Sequence, residues 1–511
     1  MKTFVEKHKS KITATLECFD RIIFKGHLPF SYPHAMQRFM DYHGILIKDF
    51  KPFVLQQAQS LKSHAKNRAA QNNRPFIYLN GRSRKEELAK KIVQRDQVIA
   101  GLVCILAAVE PCRSFRLAYG DGRPKLQKAH RKCLFLYFYF IDREFGLMHI
   151  RIQTWFPFQI QVYINGHEWL ARKMDRHHIG YKRLDNAFIA IQEPLRAQRL
   201  CDNFINQKWP CVLNALARRV NPLLKDILKN TEYYWVIDQA EFATDVLFNS
   251  RAALKGLYEK LLRHATMCFS AEDVLTFLGR KLHGRFEGEI LNEFKKRWPG
   301  ARIKHRMKDN WIKMYDKHGC VLRIETVINR PYEFKVRRSG IRNGQETIGW
   351  FPMAKGVANF YRYLEVSRTA NHHYLQALSV VEDPAQACHM LGRLCEPVPY
   401  GDQRRRGFNP LRKDDHALFT HVLRGEYFIK GFRNRDIAQH LFGQQPKDPI
   451  QRRRRSARVT RLIQLLRAHG LIAKIPRARR YRPTFRGVAI MSAAIQLREE
   501  RIPATAHKKA S

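Results

Sequence analysis

The run "CLFLYFYFI" (133–141) is apolar throughout, apart from the hydroxyls of two tyrosines. Nine such residues predict a strand buried on both faces, since a membrane-spanning helix needs about 20. "DREFG" (142–146) then turns the chain. "LMHIRIQT" (147–154) alternates, with Met148, Ile150 and Ile152 on one side and His149, Arg151 and Gln153 on the other. "FQIQVYI" (158–164) alternates as well. A three-residue loop, Trp155-Phe156-Pro157, places His149, Arg151 and Gln153 beside Gln159, Gln161 and Tyr163 on one polar face, whereas a two-residue loop would set Gln153 against Ile160. "HEWLARKMDRHHIG" (167–180) has helical spacing, and "NAFIAI" (186–191) reads as another strand. The predicted order is β-β-β-α-β.

"YYWVIDQAEFATDVLF" (233–248) admits two periods. If the stretch after Ile237 is helical, Asp238, Glu241 and Asp245 fall on one face. If it stays extended, the cluster disperses. A carboxylate stripe needs basic neighbours or a bound cation to offset its repulsion.

Further on, "RIKHRM" (302–307), "WIKMYDK" (311–317) and "CVLRIETVI" (320–328) predict a meander, with His318-Gly319 as a two-residue turn. That turn pairs Asp316 with Val321 and Ile312 with Glu325. Asp316 and Glu325 then lie about 13 Å apart along the strands, with Arg323 between them. Tyr315 faces the other way, and Lys313, Tyr315 and Lys317 form an expected nucleic-acid surface.

The last hundred residues predict helices over 414–427, 434–443 and 456–470, a hairpin over 471–484 and a closing helix from Arg486. Asn434 is a candidate cap, Gly443 and Gly470 are stops, and Val459, Ile463, Leu465 and Leu466 mark an apolar side. This order predicts a winged helix. The expected class is α+β and multidomain, a mixed sheet core flanked by helices plus the C-terminal winged helix. Expected segments are an N-terminal α/β region (1–125), a central core (126–394), a linker (395–410) and the winged helix (411–511).

Charge changes the picture from fold to partner. The 511 residues carry a formal net charge of +48. Self-repulsion of that size calls for a polyanion, and each neutralised phosphate releases counterions. DNA or structured RNA is the expected partner. No membrane partner is expected, nor is a signal peptide, because "MKTFVEKHKSK" leads into no apolar core. Between Arg452 and Arg486 stand 13 Lys and Arg and no acid. Arg453, Arg454, Arg458 and Arg461 on the third helix, with Arg477, Arg479, Arg480 and Arg482 on the wing, are candidate phosphate contacts. His149, Arg151 and Tyr163 are candidates on the polar sheet face. The ten cysteines include no CxxC, so free thiols in a cytoplasmic protein are expected and a zinc ribbon is not. No internal repeat stands out.

The β-β-β-α-β order resembles the start of ribonuclease H-like nucleases, whose carboxylates converge on Mg²⁺ or Mn²⁺. On that resemblance Asp142 and Glu168 are candidate catalytic residues; the separate acidic stretch 233–248 adds Asp238 and Glu241, and Asp142, Asp238 and Glu241 are the candidate metal ligands. Asp142 can equally be a turn residue. "YDK…LRIE" resembles strands of rolling-circle replication initiators, but the His-x-His pair of those enzymes is absent. The strings "FDRIIFKG" (19–26), "GLVCILAAVEPC" (101–112), "IDREFGLMHIRIQTWFPFQIQVYINGHEWLARKMD" (141–175) and "RLDNAF" (183–188), with the hairpin and the winged helix, resemble a widespread uncharacterised bacterial family with a C-terminal winged-helix domain. That resemblance implies a bacterial, cytoplasmic protein and supplies no catalytic residues. The expected function is nucleic-acid binding of mobile-element type, with metal-dependent nuclease or transposase-like chemistry. The alternative is a non-enzymatic ribonucleoprotein component or a winged-helix transcription regulator.

Overall fold

A computed structural model describes the chain except for residues 81–82, 121–122, 268, 281–289, 297–300, 343, 380, 382–390, 402, 445, 447, 477 and 502–511. The strands are β1 (Ile12–His27), β2 (Phe76–Tyr78), β3 (Gly101–Gly120), β4 (Arg123–Asp142), β5 (Gly146–Gln153), β6 (Ile160–Asn165), β7 (Tyr181–Leu184), β8 (Ala187–Ile191), β9 (Tyr234–Phe248), β10 (Ile290–Lys296), β11 (Ala301–Met307), β12 (Asn310–Lys317) and β13 (Val321–Ile328). Eleven of them hydrogen-bond in the order β10-β11-β12-β13-β9-β1-β6-β5-β4-β3-β2. The sheet is mixed, because β2 runs parallel to β3 while β3 to β6 are antiparallel. The fold is therefore α+β. The chain divides into two interleaved compact units, one of residues 14–245 and 325–367, the other of 1–13, 246–324 and 368–511.

In the first unit β4 sits between β3 and β5, and its residues 135–140 are buried, as the apolar run predicts. Met148, Ile150 and Ile152 of β5 and Ile160, Val162 and Ile164 of β6 are wholly buried. His149 pairs with Tyr163 and Arg151 with Gln161, which is the register the three-residue loop requires. Asn165 ends β6 and caps the helix Gly166–Arg176, its Oδ1 accepting from His167 N at 2.8 Å and Glu168 N at 3.1 Å. A Cβ at Gly166 would lie 2.1 Å from the Phe19 carbonyl oxygen, so only glycine lets this helix start against β1. The strand predicted at 186–191 forms, but it pairs with β7 in a separate two-stranded hairpin and does not extend the main sheet. This unit also carries a second hairpin, β14 (Lys335–Arg342) with β15 (Gln345–Pro352).

β1 alternates from Arg21 onward, but Leu16 to Asp20 are buried without alternation. Two carboxylates, Glu17 and Asp20, are thereby drawn inside. Buried carboxylates need partners, and these two have them.

In the second unit, Cys320 N donates to the Lys317 carbonyl at 3.3 Å, and His318 and Gly319 have φ of 55° and 77°. This is the predicted two-residue turn in its primed form. The C-terminal residues form helices Lys413–Val422, Gly425–Lys430, Asn434–Phe442 and Pro449–Ala468, a hairpin of Ile472–Lys474 with Tyr481–Pro483, and a helix Phe485–Arg501. Val459, Ile463, Leu465 and Leu466 join one buried cluster with Phe419, Ile437 and Met491. The predicted helix over 414–427 is broken between Val422 and Gly425. The third helix begins seven residues earlier than expected, where Asp448 accepts from Ile450 N at 2.9 Å. Asn434 is not the cap; Asp436 bonds back to Arg433 N, and Asn434 donates instead to Thr460 Oγ1 at 2.8 Å. The segment expected as a linker holds a small hairpin of Val398–Tyr400 with Gln403–Arg405.

Several imidazoles are buried neutral. Burial lowers His305 and His264 from 6.5 to about 4, and His305 lies between Asn292 Oδ1 at 2.7 Å and the Tyr374 hydroxyl at 2.9 Å. A folded-state value below the unfolded one means that the unfolded chain takes up the proton first as pH falls. Stability is therefore complete above about pH 6.5 and declines towards pH 4. Denaturant midpoints measured between pH 7.5 and 4 will fall over that window, and less steeply in His305→Gln.

Candidate metal centre

β9 is a strand, the extended alternative of the two periods, so Asp238 and Glu241 project to opposite faces and the three-acid helical stripe does not form. Glu241 meets two carboxylates that sequence reasoning did not join to it. Its ligand oxygen, one from Asp20 on β1 and one from Glu325 on β13 all lie within 4.8 Å of one another. The three residues are 8%, 7% and 1% exposed, respectively.

The surroundings hold these groups in place. Asn165 Nδ2 donates to Asp20 Oδ1 at 3.3 Å, and Asn186 Nδ2 donates to the same oxygen. Asn165 also donates to Asn186 Oδ1 at 3.3 Å. Gln239 Nε2 donates to Glu241 Oε1 at 2.6 Å. The wholly buried His167 lies between two acids, Nδ1 3.7 Å from Asp20 Oδ1 and Nε2 3.7 Å from Asp245 Oδ2. Those are ion-pair distances and too long for hydrogen bonds. A hydrogen bond with Cys201 holds the neighbouring Cys18 thiol below its usual value.

Three carboxylates this close repel unless protons or cations stand among them. A donor set of three hard oxygens suits Mg²⁺ or Mn²⁺. Ligands at about 2.0–2.1 Å put opposite oxygens roughly 4 Å apart, so donors within 4.8 Å need only a small inward shift. Asp20, Glu241 and Glu325 fit such an ion.

The other predicted ligands are placed elsewhere. Asp142 ends β4 as a turn residue, accepting from Glu144 N at 2.9 Å and pairing with Arg219 at 2.8 Å. Glu168, in the first turn of its helix, pairs with Arg183. Asp238 stands 3.6 Å from Lys355 Nζ and accepts from Gln161 Nε2 at 3.4 Å.

Among the predicted nucleic-acid contacts, Arg151 is held by Glu110 at 2.7 Å and Gln161 at 2.8 Å. His149 stacks on Tyr163 with 4.9 Å between ring centres, and burial lowers its value to about 3. Tyr163 itself is buried. Tyr315 is 8% exposed and belongs to the interior, while Lys313 and Lys317 are half-buried. Arg453, Arg454, Arg458 and Arg461 are exposed along their helix, as are Arg479 and Arg482 at the hairpin. Arg480 donates to the Lys430 carbonyl at 2.9 Å. Arg477 lies outside the described residues.

No family model, curated protein or solved structure matches the chain. One internal signal could have found Glu325. "QIQVYIN" (159–165) and "RIETVIN" (323–329) share Ile, Ile and Asn in register, and they set Gln161 at the position of Glu325. The strand order repeats too: β6 ends one meander and pairs with β1, and β13 ends another and neighbours β9.

An ion held by these residues stabilises the folded state by mass action, about 2.7 kcal/mol at 100 times the dissociation constant. Melting with and without Mn²⁺ will show a rise in Tm for the native chain. Glu325→Gln and Asp20→Asn will lose that rise. A rise that persists in both variants assigns the ion to another place.

Proposed function

We propose that the protein is a nucleic-acid-processing enzyme that acts on phosphodiester bonds with a divalent metal held by Asp20, Glu241 and Glu325. The observation that carries this reading is the convergence of three carboxylates from three strands, distant in sequence, in a chain of net charge +48. A basic protein attracts the polyanion, and an acidic centre holds the ion that polyanion chemistry uses. Mg²⁺ or Mn²⁺ there would activate a water and offset charge that develops on a phosphate. Asn165 and Asn186 orient Asp20, and His167 stands at ion-pair distance between Asp20 and Asp245. The C-terminal helices and hairpin are read as a winged helix that holds a duplex through the exposed arginines of its third helix. The order of three helices, hairpin and closing helix supports that reading, with one extra short helix at Gly425–Lys430.

The burial of Glu325 and Asp245 to 1% favours a second reading, in which the cluster is structural and the protein only binds nucleic acid. That protein would be a ribonucleoprotein component or a regulator. The two readings part on one assay. Purified protein, incubated with plasmid DNA and with structured RNA in Mn²⁺ or Mg²⁺ and in chelator, will cleave or join strands only with metal. Partners that orient metal ligands are worth roughly 10–100-fold, so Asn165→Ala will lose that much and Asp20→Asn or Glu325→Gln more. Binding affinity will stay unchanged in all three. Metal-independent turnover, or full activity in Glu325→Gln, refutes the assignment. No turnover with intact salt-dependent binding establishes the binder, and sequencing the copurifying nucleic acid then separates a discrete RNA from a palindromic operator.

A further inference from the structure

β3 and β4 pair along their whole length, from Gly101 with Ile141 to Gly120 with Arg123. Their sheet neighbours stop much earlier. β2 reaches β3 only at Ile105 to Ala107, and β5 reaches β4 only from Phe135 onward. Beyond those points the two strands pair only with each other, as a ribbon of 12 residues each, 109–120 and 123–134; Cys112, Ser114, Phe115 and Leu126 of this stretch are buried, while Arg113, Arg116, Lys128, Arg131 and Lys132 are exposed. Ser114 and Phe115 fix its base, Ser114 Oγ donating to the Phe156 carbonyl at 2.8 Å. Tyr119, next to the tip, is 82% exposed.

The charge on this ribbon is segregated. Residues 109–134 hold seven Lys and Arg, one His and two acids, Glu110 and Asp121, and Glu110 is engaged by Lys85 and Arg151. Arg113, Arg116, Lys128, Arg131 and Lys132 make no ion pair among the described residues; Lys128 lies over the Tyr32 ring and Arg116 reaches only Gln127, at 3.4 Å. Elsewhere in the same unit, Arg219 pairs with Asp142, Arg176 with Glu144, Arg183 with Glu168 and Arg151 with Glu110. The five ribbon cations have no such acid set against them among the described residues.

We propose that the β3–β4 ribbon is a docking element for duplex DNA, lying along a groove with these five cations on the phosphates. A two-stranded ribbon fits the B-form major groove, about 12 Å wide, whereas the A-form groove of duplex RNA is too narrow for it. This assignment takes the nucleic-acid reading above as its premise and is independent of the metal chemistry.

The test uses the full chain and a 30-base-pair duplex, as DNA and as RNA, with binding measured from 50 to 300 mM salt. The five-residue variant Arg113→Gln, Arg116→Gln, Lys128→Gln, Arg131→Gln, Lys132→Gln will show a log–log salt slope on DNA smaller by about 0.9 for each lost phosphate contact, so by about 3 or more. The charge-keeping variant Arg113→Lys, Arg116→Lys, Arg131→Lys will keep the slope, and matching melts will show that both variants fold. A winged-helix variant, Arg453→Gln with Arg458→Gln, will weaken binding separately and leave the ribbon's share of the slope. An unchanged slope in the folded five-residue variant overturns the proposal. So does an equal loss on duplex RNA. A native chain without salt-dependent binding to either duplex removes the nucleic-acid premise and the ribbon with it.

Discussion

Everything near the centre of the first unit depends on keeping like charges together inside protein. Asp20, Glu241 and Glu325 present oxygens within 4.8 Å of one another, and Asp245 stands just beyond His167. In a medium of low effective dielectric such a group is stable only when hydrogen-bonded and balanced by positive charge. The elements around it serve that end. β6 ends in an asparagine that both caps a helix and donates to Asp20. Gly166 lets that helix begin against the Phe19 carbonyl, which brings His167 between two acids. A side chain at 166 would displace the helix and the imidazole together.

The same accounting of charge bears on where the proposed polyanion would meet the protein. Acids are few, and several in the first unit, among them Asp142, Glu144, Glu168 and Glu110, pair with a nearby arginine. Cations without such a partner stand exposed on the β3–β4 ribbon, and an exposed row of arginines lies on the helix Pro449–Ala468. A net charge of +48 is therefore a pattern as well as a sum. The buried acids and the exposed cations are complementary parts of one electrostatic arrangement, which under the proposed function would bring phosphates to the surface and a divalent ion to the interior.

Local periodicity made much of the fold legible. The doubly buried strand, the β5–β6 register, the His318-Gly319 turn and the C-terminal element order all follow from spacing within about 30 residues. The candidate site did not, because its members come from β1, β9 and β13, and no local pattern says that these strands come together. Asp20 sits singly in an apolar run, so it had no visible partner. Glu325 was measured against Asp316, its neighbour in the hairpin, and the two were correctly read as apart. Asp316 instead caps its own turn, accepting from Gly319 N at 2.8 Å. Glu241 was found by assuming a helix that the structure replaces with a strand. Asp142 and Glu168 were found by analogy with a topology that β8 does not complete, and arginines pair with both.

The echo between "QIQVYIN" and "RIETVIN" bears on why one meander supplies an acid to the group and the other does not. In the sheet, β1 followed by the meander ending in β6 is matched by β9 followed by the meander ending in β13. Where the second meander carries Glu325, the first carries Gln161, and its cross-strand neighbour on β1 is Lys25. Gln161 donates to Asp238 at 3.4 Å and accepts from Arg151 at 2.8 Å, so its amide serves one neighbour at each end. A glutamate there could accept from Arg151 but could not donate to Asp238, and it would set a second carboxylate against the first. An amide thus satisfies hydrogen bonds at the position where the other half places a metal-fitting acid. At this position the repeated topology is hydrogen-bonded internally in one copy, while the other supplies Glu241 and Glu325 to the group that Asp20 of β1 completes.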